Sequence, residues 1–355
     1  MTQPRPTPDT AAHPAPTTSA RPELPRDDRE LVISRLFDAP RDLVFEAYTN
    51  VDAKSQWWGP HGFTTTTHAA DVRPGGEWRF TMHGPDGTDF PNRIVFREIA
   101  APERLVYDHD DDGEARGVEV RTRFVAEIDF EERGNQTLLT LRQRWPSAEV
   151  LAKKEATFGA LAGGQQTLQR LAHHLARIAP DRVAPPRRVT TVAFASDREL
   201  VVMRPFAARP QELFDAFVTP EAFARWWRPN GVENVACELD PRPGGAWSLV
   251  QRGADGVEHL LSGEYREVVP AERLVMTWRV AEAGRDGEAR RDGEAGRDHE
   301  GLRLSVTFTK VAGETVLSIR TLHPDRASLE HYWRHGQPHG TEQALERLAE
   351  VLGEG

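Results

Sequence analysis

The chain has 355 residues and a formal net charge of −10 at pH 7. Acidic and basic residues are interspersed without a basic stripe, which argues against nucleic acid as a partner. Its single cysteine, Cys237, excludes an internal disulfide and fits a reducing, cytoplasmic compartment.

Residues 1–29 are rich in proline, threonine and alanine. They contain no apolar run long enough for a signal peptide or a membrane-spanning helix. We therefore interpret this segment as a disordered tail and expect no membrane span.

Residues 30–179 are predicted to form a first domain. A strand over 31–37 is followed by a helix-start signal at Ala39-Pro40 and a helix through Tyr48, and a second short helix ends at Gly59-Pro60. Six strands between residues 64 and 145 are separated by hairpin-length clusters of glycine, proline and aspartate, which indicates an antiparallel meander. Apolar residues at helical spacing predict one long helix over 148–178.

The same pattern recurs about 169 residues later, far beyond the ~20–50 residues of solenoid repeats. Glu30-Leu31-Val32 returns as Glu199-Leu200-Val201, and Trp57-Trp58 returns as Trp226-Trp227. Each copy is therefore a whole domain, and the second is predicted to span 198–355. Residues 180–197 are expected to be a short, stiff, proline-rich linker, and the charged low-complexity stretch 281–300 a disordered loop.

This order of elements predicts an α+β fold in which, twice over, a curved antiparallel sheet wraps around a long C-terminal helix. Apolar side chains from the concave face of the sheet and from the helix would meet between them. Where they do not fill the space, the result is a pocket of the apolar kind that binds small molecules.

Several motifs carry a resemblance to a known family: Arg35-Leu36-Phe37-Asp38-Ala39, the Trp57-Trp58 pair, the turn from Asp71 to Trp78 and Pro102-Glu103-Arg104-Leu105, each with a counterpart in the second copy. Together they resemble the START-like (SRPBCC) superfamily, and within it the family of the activator of heat shock protein 90 ATPase homologue. The resemblance implies two tandem helix-grip domains. It also implies binding of lipids, polyketides or other apolar small molecules, in some members with cyclase or hydrolase chemistry.

Large apolar side chains predicted to face the interiors are the candidate ligand-binding residues, with packing of an ordinary core as the alternative interpretation. In the first copy they are Trp57, Trp58, Trp78, Phe80, Phe96, Tyr107, Phe124 and Phe158. In the second copy they are Trp226, Trp227, Trp247, Tyr265, Met276, Trp278 and Trp333.

Polar residues give weaker patterns. Arg35 and its counterpart Arg204 fall among apolar strand positions, where a guanidinium needs a carboxylate or a ligand anion; we expect an internal ion pair. His331, His335 and His339 have helical ligand spacing, but Gly336 and Pro338 interrupt that helix, so a metal site is not predicted. His109, among aspartates, is expected at a charged hairpin tip, with weak binding of a divalent cation as the alternative.

No catalytic nucleophile motif or pair of catalytic carboxylates is recognisable, and no catalytic residue, metal or cofactor is predicted. The favoured hypothesis is binding or sensing of an apolar, lipid-like or polyketide-like small molecule. A protein-interaction module of the chaperone-activator type is the first alternative, which a long exposed apolar patch would favour. A cyclase- or hydrolase-like enzyme is the second, which a buried histidine or carboxylate in an apolar cavity would favour.

Overall fold

The computed structural model describes residues 23–111, 123–183, 185, 187–282 and 302–354. Most of the predicted tail, up to residue 22, and residues 283–300 of the predicted charged loop lie outside these ranges. Residues 23–29, which the sequence analysis assigned to the tail, contact both copies: Arg26 pairs with Glu127 of the first copy at 2.9 Å, and its carbonyl accepts a hydrogen bond from Arg326 of the second at 2.9 Å.

The first copy has the predicted order of elements. Its elements are β1 (Glu30–Phe37), α1 (Arg41–Thr49), α2 (Val51–Ser55), β2 (Thr64–Ala70), β3 (Glu77–His83), β4 (Asp89–Ala100), β5 (Arg104–Asp111), β6 (Arg123–Arg133), β7 (Gln136–Arg144), α3 (Ala148–Phe158) and α4 (Ala160–Ile178). The single helix predicted over 148–178 is wrong in one respect: it divides at Gly159. This glycine has φ +59°, a left-handed conformation that interrupts the helix and that glycine adopts without a Cβ penalty.

The second copy repeats this order and adds one strand before it and one within it. Its elements are β8 (Thr191–Ser196), β9 (Glu199–Phe206), α5 (Pro210–Val218), α6 (Pro220–Trp226), β10 (Glu233–Leu239), β11 (Ala246–Arg252), β12 (Glu258–Val269), β13 (Arg273–Thr277), β14 (Arg279–Glu282), β15 (Arg303–Val311), β16 (Glu314–Leu322), α7 (Arg326–Arg334) and α8 (Gln337–Val351). The α+β architecture with two copies of one plan is thus confirmed.

The strands of both copies form one continuous antiparallel sheet. Its order is β2-β3-β4-β5-β6-β7-β1-β8-β9-β16-β15-β13-β12-β11-β10, with β14 beside β12. Strand β8 lies in the segment that the sequence analysis assigned to the linker, and it pairs with β1 on one side and β9 on the other. The two sheets are therefore joined through their first strands.

Alternate residues of the joining strands enter different hydrophobic cores. On β8, Phe194 packs in the core of the second copy, whereas Ala193 packs in the core of the first. The neighbouring strands also exchange side chains: Val32 of β1 enters the second core, and Val201 and Met203 of β9 enter the first. The terminal helices of the two copies consequently lie on opposite faces of the joined sheet, and each core removes apolar surface of the other copy from water.

Candidate functional site

A lysine lies inside the first domain. Lys54 is on the five-residue helix α2, and only 1% of it is exposed. Its Nζ lies 4.3 Å from the ring centroid of Trp58, 4.6 Å from Trp78, 5.4 Å from Tyr107 and 5.6 Å from Tyr48. We call these four rings and the amine they surround the aromatic cage.

Local structure explains why this lysine points inward. The side chain of Asn50 accepts hydrogen bonds from the backbone N–H groups of Asp52 and Ala53 and so begins α2. The indole Nε1 of Trp57 donates to the carbonyl oxygen of Ala47 at 3.2 Å, which fixes the end of α2 against α1. Lys54 is the inward-facing position between these two contacts.

The amine of Lys54 is electrostatically unusual. Within the described ranges, Nζ has no hydrogen-bond partner and no carboxylate counter-ion. Burial lowers the pKa of Lys54 to about 7, because removal from water disfavours the ammonium form. The ring faces attract the ammonium form through cation–π interaction. A ring face has no lone pair, however, so it does not accept a conventional hydrogen bond from the ammonium group. The amine therefore has both protonation states available near neutral pH.

Further polar groups lie in the same interior. Burial raises the pKa values of the Tyr48 and Tyr107 hydroxyls. His109 is 8% exposed; its Nε2 lies 2.8 Å from the side-chain oxygen of Asn92, and its ring lies 4.7 Å from that of Phe124. The prediction of an exposed hairpin tip for His109 is wrong, because the residue belongs to β5 and the pleat turns it inward.

The second domain lacks this polar set. At the constant offset of 169 residues, the counterparts are Phe217 for Tyr48, Phe223 for Lys54, Leu261 for Asn92, Met276 for Tyr107 and Trp278 for His109. Phe223 stacks on Trp227 with 5.4 Å between centroids and 16° between planes, so a ring occupies the place of the amine. All five positions are apolar or aromatic in the second interior.

The predicted ligand-binding residues of the first copy are buried together. Trp58, Trp78 and Tyr107 belong to the aromatic cage, and Phe80 stacks on Trp78 at 3.8 Å. The other buried residues are Trp57, Phe96 and Phe124. The side chain of Phe158 lies outside what the structure describes.

The predicted residues of the second copy form a comparable cluster. Trp226 repeats the hydrogen bond of Trp57, with its Nε1 2.9 Å from the carbonyl oxygen of Ala216. Trp333 is half-buried on α7 and contacts the ring of Phe194 on β8 at 5.0 Å. The remaining members, all buried, are Trp227, Trp247, Tyr265, Met276 and Trp278. Ligand contact by these residues stays a prediction for both copies.

Sequence reasoning missed Lys54, although two signals were available. The chain has only four lysines. One of them directly precedes the Trp57-Trp58 region on a helix and aligns with Phe223 of the other copy. A basic residue that aligns with a buried aromatic residue indicates either an exposed position or an unusual buried charge. Lys54 is buried, so it is an unusual buried charge.

The histidines of the second copy lie at a helix junction. α7 ends at Arg334, and Gly336 has φ +79°, so the helix is interrupted where the sequence predicts. The rings of His331 and His335 lie 4.1 Å apart, and His339 follows on α8. Across the described part of the chain, no group of three or more histidine, cysteine or acidic side chains is arranged to hold a metal ion.

Comparison with known families bears on this fold and site. The sequence profile described as "Activator of Hsp90 ATPase homolog 1-like protein" matches residues 38–176 and again residues 207–353. The chain belongs to this family. The two matched segments lie within the two copies, which is consistent with a tandem duplication of the family domain. A search of the curated proteins gave no match.

Three solved structures that are similar to this chain each cover less than half of it. A protein from Arthrobacter aurescens is 25% identical, covers 44% of this chain and 91% of its own, and has a TM-score of 0.40. A protein from Rhizobium leguminosarum is 26% identical, covers 42% and 94%, and has a TM-score of 0.33. The AHSA1 protein from Silicibacter pomeroyi is 20% identical, covers 42% and 99%, and has a TM-score of 0.35.

None of the helices in the described ranges has both the length and the apolar character needed to cross a membrane.

Proposed function

We propose that the interior of the first domain binds an apolar small molecule and that Lys54 holds the polar group of that molecule. The observation that carries this proposal is a buried amine that is enclosed by aromatic rings and has no hydrogen-bond partner among the residues that the structure describes. Buried polar groups in folded proteins are nearly always hydrogen-bonded, so such a group requires an explanation. A ligand that bonds to Nζ supplies one, because it satisfies the amine within apolar surroundings.

The cage favours one ligand chemistry, planar and polyketide-like, over a flexible lipid chain. Flat rings on several sides stack best against an unsaturated planar body. With a pKa of about 7, the amine accepts a hydrogen bond from a phenolic or enolic hydroxyl in its neutral form and donates to an enolate or carbonyl in its charged form. A planar molecule with an acidic hydroxyl matches both properties.

Binding in this interior requires the rings to separate. Trp58 and Trp78 are in contact, with 5.6 Å between their centroids, and Phe80 stacks on Trp78. Lys54 lies on α2, and Trp58 lies just beyond its end. Because α2 has only five residues, a displacement of this short helix would move both side chains away from Trp78 and open the interior to a ligand.

The test uses the full chain and two matched probes. The probe 1-naphthol has a planar body and one acidic hydroxyl, and naphthalene has the same body without the hydroxyl. Equilibrium dialysis at pH 7 measures the binding of each to the wild-type protein, to Lys54→Met and to Phe223→Met. The last variant is the matched control, because it changes the equivalent position of the second copy without removing an amine.

We expect 1-naphthol to bind the wild type and Phe223→Met alike, and Lys54→Met at least about tenfold more weakly, which corresponds to one hydrogen bond to a charged or polar partner. Naphthalene should not distinguish the three proteins. Equal binding of 1-naphthol to Lys54→Met and the wild type would refute the role of the amine. Native mass spectrometry of the chain purified from its own cells would then identify a natural ligand directly.

A second candidate function, cyclase- or hydrolase-like catalysis, is favoured by one specific observation. His109 and Asn92 form a buried hydrogen-bonded pair in the interior that holds Lys54, and a buried histidine there is the feature that the sequence analysis associated with an enzyme. Once a natural ligand is known, its conversion by the wild type and by His109→Phe decides between binding and turnover.

The protein-interaction alternative needs an exposed apolar surface. In the described ranges, the exposed large apolar side chains are Ile178 on α4, Val257 just before β12 and Val280 on β14. This observation gives the alternative no specific support.

A cytoplasmic location stays a prediction from the sequence.

A further inference from the structure

A groove with a cavity of about 250 Å³ lies between the two domains. Helices α3 and α4 of the first copy form one wall. The floor consists of β9, β15 and β16, on the face that these strands turn toward the first copy. We call this the interdomain groove. Its lining includes Leu161, Gln165 and Gln169 of α4, Met203 of β9, Thr309 of β15 and Ser318 of β16.

Arg35 of β1 lines this groove. It is 8% exposed, and among the residues that the structure describes it has no ion-pair partner and its buried Nε has no hydrogen-bond partner. The predicted internal ion pair is therefore wrong: within the described ranges, the guanidinium is engaged only by the face of Phe37, 5.6 Å away. Burial lowers the pKa of Arg35 to about 10, and Asp38 opposes this shift only through space, so the group stays charged at neutral pH.

The other charged groups around the groove compensate one another. Glu155 pairs with Arg320 through one carboxylate oxygen, and its other oxygen accepts the backbone N–H of Leu161 at 2.8 Å. At the outer end, Glu314 accepts hydrogen bonds from Gln169 at 3.2 Å and from Arg188 at 2.6 Å. Among these described charged groups of the groove, Arg35 is the one whose charge is not paired with a carboxylate.

Nearby groups do not cancel that charge. Burial and the proximity of Arg35 both lower the pKa of His173, so this imidazole is neutral at pH 7. The side-chain nitrogen of Gln165 is buried in the groove and has no hydrogen-bond partner in the described part of the chain. A guanidinium and an amide donor thus lie unsatisfied in one cavity, and an anion with hydrogen-bond acceptors would satisfy both.

We propose that the interdomain groove binds a small organic carboxylate, whose carboxylate pairs with Arg35 and whose apolar part packs against Leu161, Met203 and Val316. A planar guanidinium binds a carboxylate or a phosphate with two parallel hydrogen bonds. We favour a carboxylate because its single negative charge matches the single charge of Arg35 and because part of the lining is apolar. The volume lies below the ~300–1,000 Å³ of sites for drug-sized ligands, so the ligand is small. Such a ligand touches both domains at once.

This site is separate from the aromatic cage, since none of its lining residues belongs to the cage. It also exists only because two copies are joined: Arg35 comes from the first sheet and the floor comes from the second. The proposal therefore stands or falls independently of ligand binding at Lys54.

The test uses benzoate as the probe, with benzamide as its neutral analogue and inorganic phosphate as a second anion. Titration calorimetry on the full chain measures all three. Arg35→Met removes the guanidinium. Arg204→Met is the matched control, because Arg204 holds the equivalent position on β9 but does not line the groove. Its Nε is also buried and has no hydrogen-bond partner among the described residues. In a third variant, Ala162→Trp, an exposed side chain of α4 that lines the groove is enlarged while Arg35 is kept.

We expect benzoate to bind the wild type and Arg204→Met within about twofold of each other, and Arg35→Met and Ala162→Trp at least about tenfold more weakly. Benzamide should bind at least about tenfold more weakly than benzoate. If Arg35→Met does not fold, Ala162→Trp decides alone. The proposal is overturned if the wild type does not bind benzoate at about 10 mM, if Ala162→Trp binds it unchanged, or if phosphate or benzamide binds as well as benzoate.

Discussion

The burial of Lys54 makes a quantitative prediction about stability and pH. An unfolded lysine keeps its proton up to a pKa near 10.5, whereas the folded chain releases this proton near pH 7. Between these two values the unfolded state binds more protons than the folded state, so the free energy of unfolding rises with pH. Stability is therefore greatest above about pH 10.5, falls progressively as pH is lowered from there to about 7, and changes little with this group below pH 7.

The magnitude follows from the same two pKa values. A full proton difference contributes about 1.4 kcal/mol for each pH unit, and half of it is present at the folded pKa. Between pH 7 and pH 9, the wild type should therefore gain about 2 kcal/mol relative to Lys54→Met, which has no proton to lose at this position. Other groups titrate equally in both proteins, so their contributions cancel in the difference.

Two assays check this prediction. Unfolding in urea at a series of pH values gives the free-energy difference between the wild type and Lys54→Met, and Phe223→Met is the control whose pH dependence should follow the wild type. NMR of the lysine Cε groups gives the pKa itself, since the chain has four lysines and the signal missing from Lys54→Met identifies Lys54. Parallel stability curves, or a Lys54 pKa near 10.5, would show that the amine is hydrated and that the aromatic cage is open to water.

Three further predictions concern the fold. Phe194→Ala removes a fully buried ring from β8 and should lower the free energy of unfolding by about 3–5 kcal/mol. It should also expose the junction of the two sheets to proteases, which limited proteolysis would detect. Resistance equal to that of the wild type would mean that β8 does not hold the domains together. Gly159→Ala forces φ +59° on a residue with a Cβ and should lower the free energy of unfolding by about 1–2 kcal/mol. Gly163→Ala lies within α4 and should raise the free energy of unfolding by up to about 1 kcal/mol. Equal effects of the two substitutions would contradict the divided helix. The carboxylate of Glu30 is 0% exposed and lies 2.6 Å from the guanidinium of Arg142. Arg142→Met removes this partner from a buried charge and should lower the free energy of unfolding in urea by about 3–5 kcal/mol. A much smaller loss would show that water reaches Glu30.

The sequence predicted the architecture because it contains the same domain twice. Each motif of the first copy was supported by its repeat, and the strands and helices follow from short-range periodicity and turn residues. The division at Gly159 was missed because the apolar spacing continues across it. A glycine within a helical pattern is tolerated often enough that its backbone conformation is settled only by the tertiary structure.

The candidate site was predicted only in its apolar part. Aromatic residues at alternating positions indicated the interior, but periodicity cannot show which polar side chains a curved sheet encloses. His109 was misplaced because its aspartate neighbours suggested exposure, and Arg35 because a buried cation usually has a carboxylate nearby. Both outcomes depend on residues far apart in the chain that the fold brings together, such as His109 beside Asn92 and Arg35 in a groove that α4 also lines.

The two copies differ in a way that joins stability to function. The first interior contains Lys54, whose unsatisfied amine costs folding free energy, whereas Phe223 at the same place in the second interior packs on Trp227 without that cost. Met203 of the second copy packs in the first core and Val32 of the first packs in the second, so each copy contributes to the core of the other. The cost of the buried amine is therefore offset in part by apolar burial that the joined sheet adds to the first core and that an isolated first domain would not have.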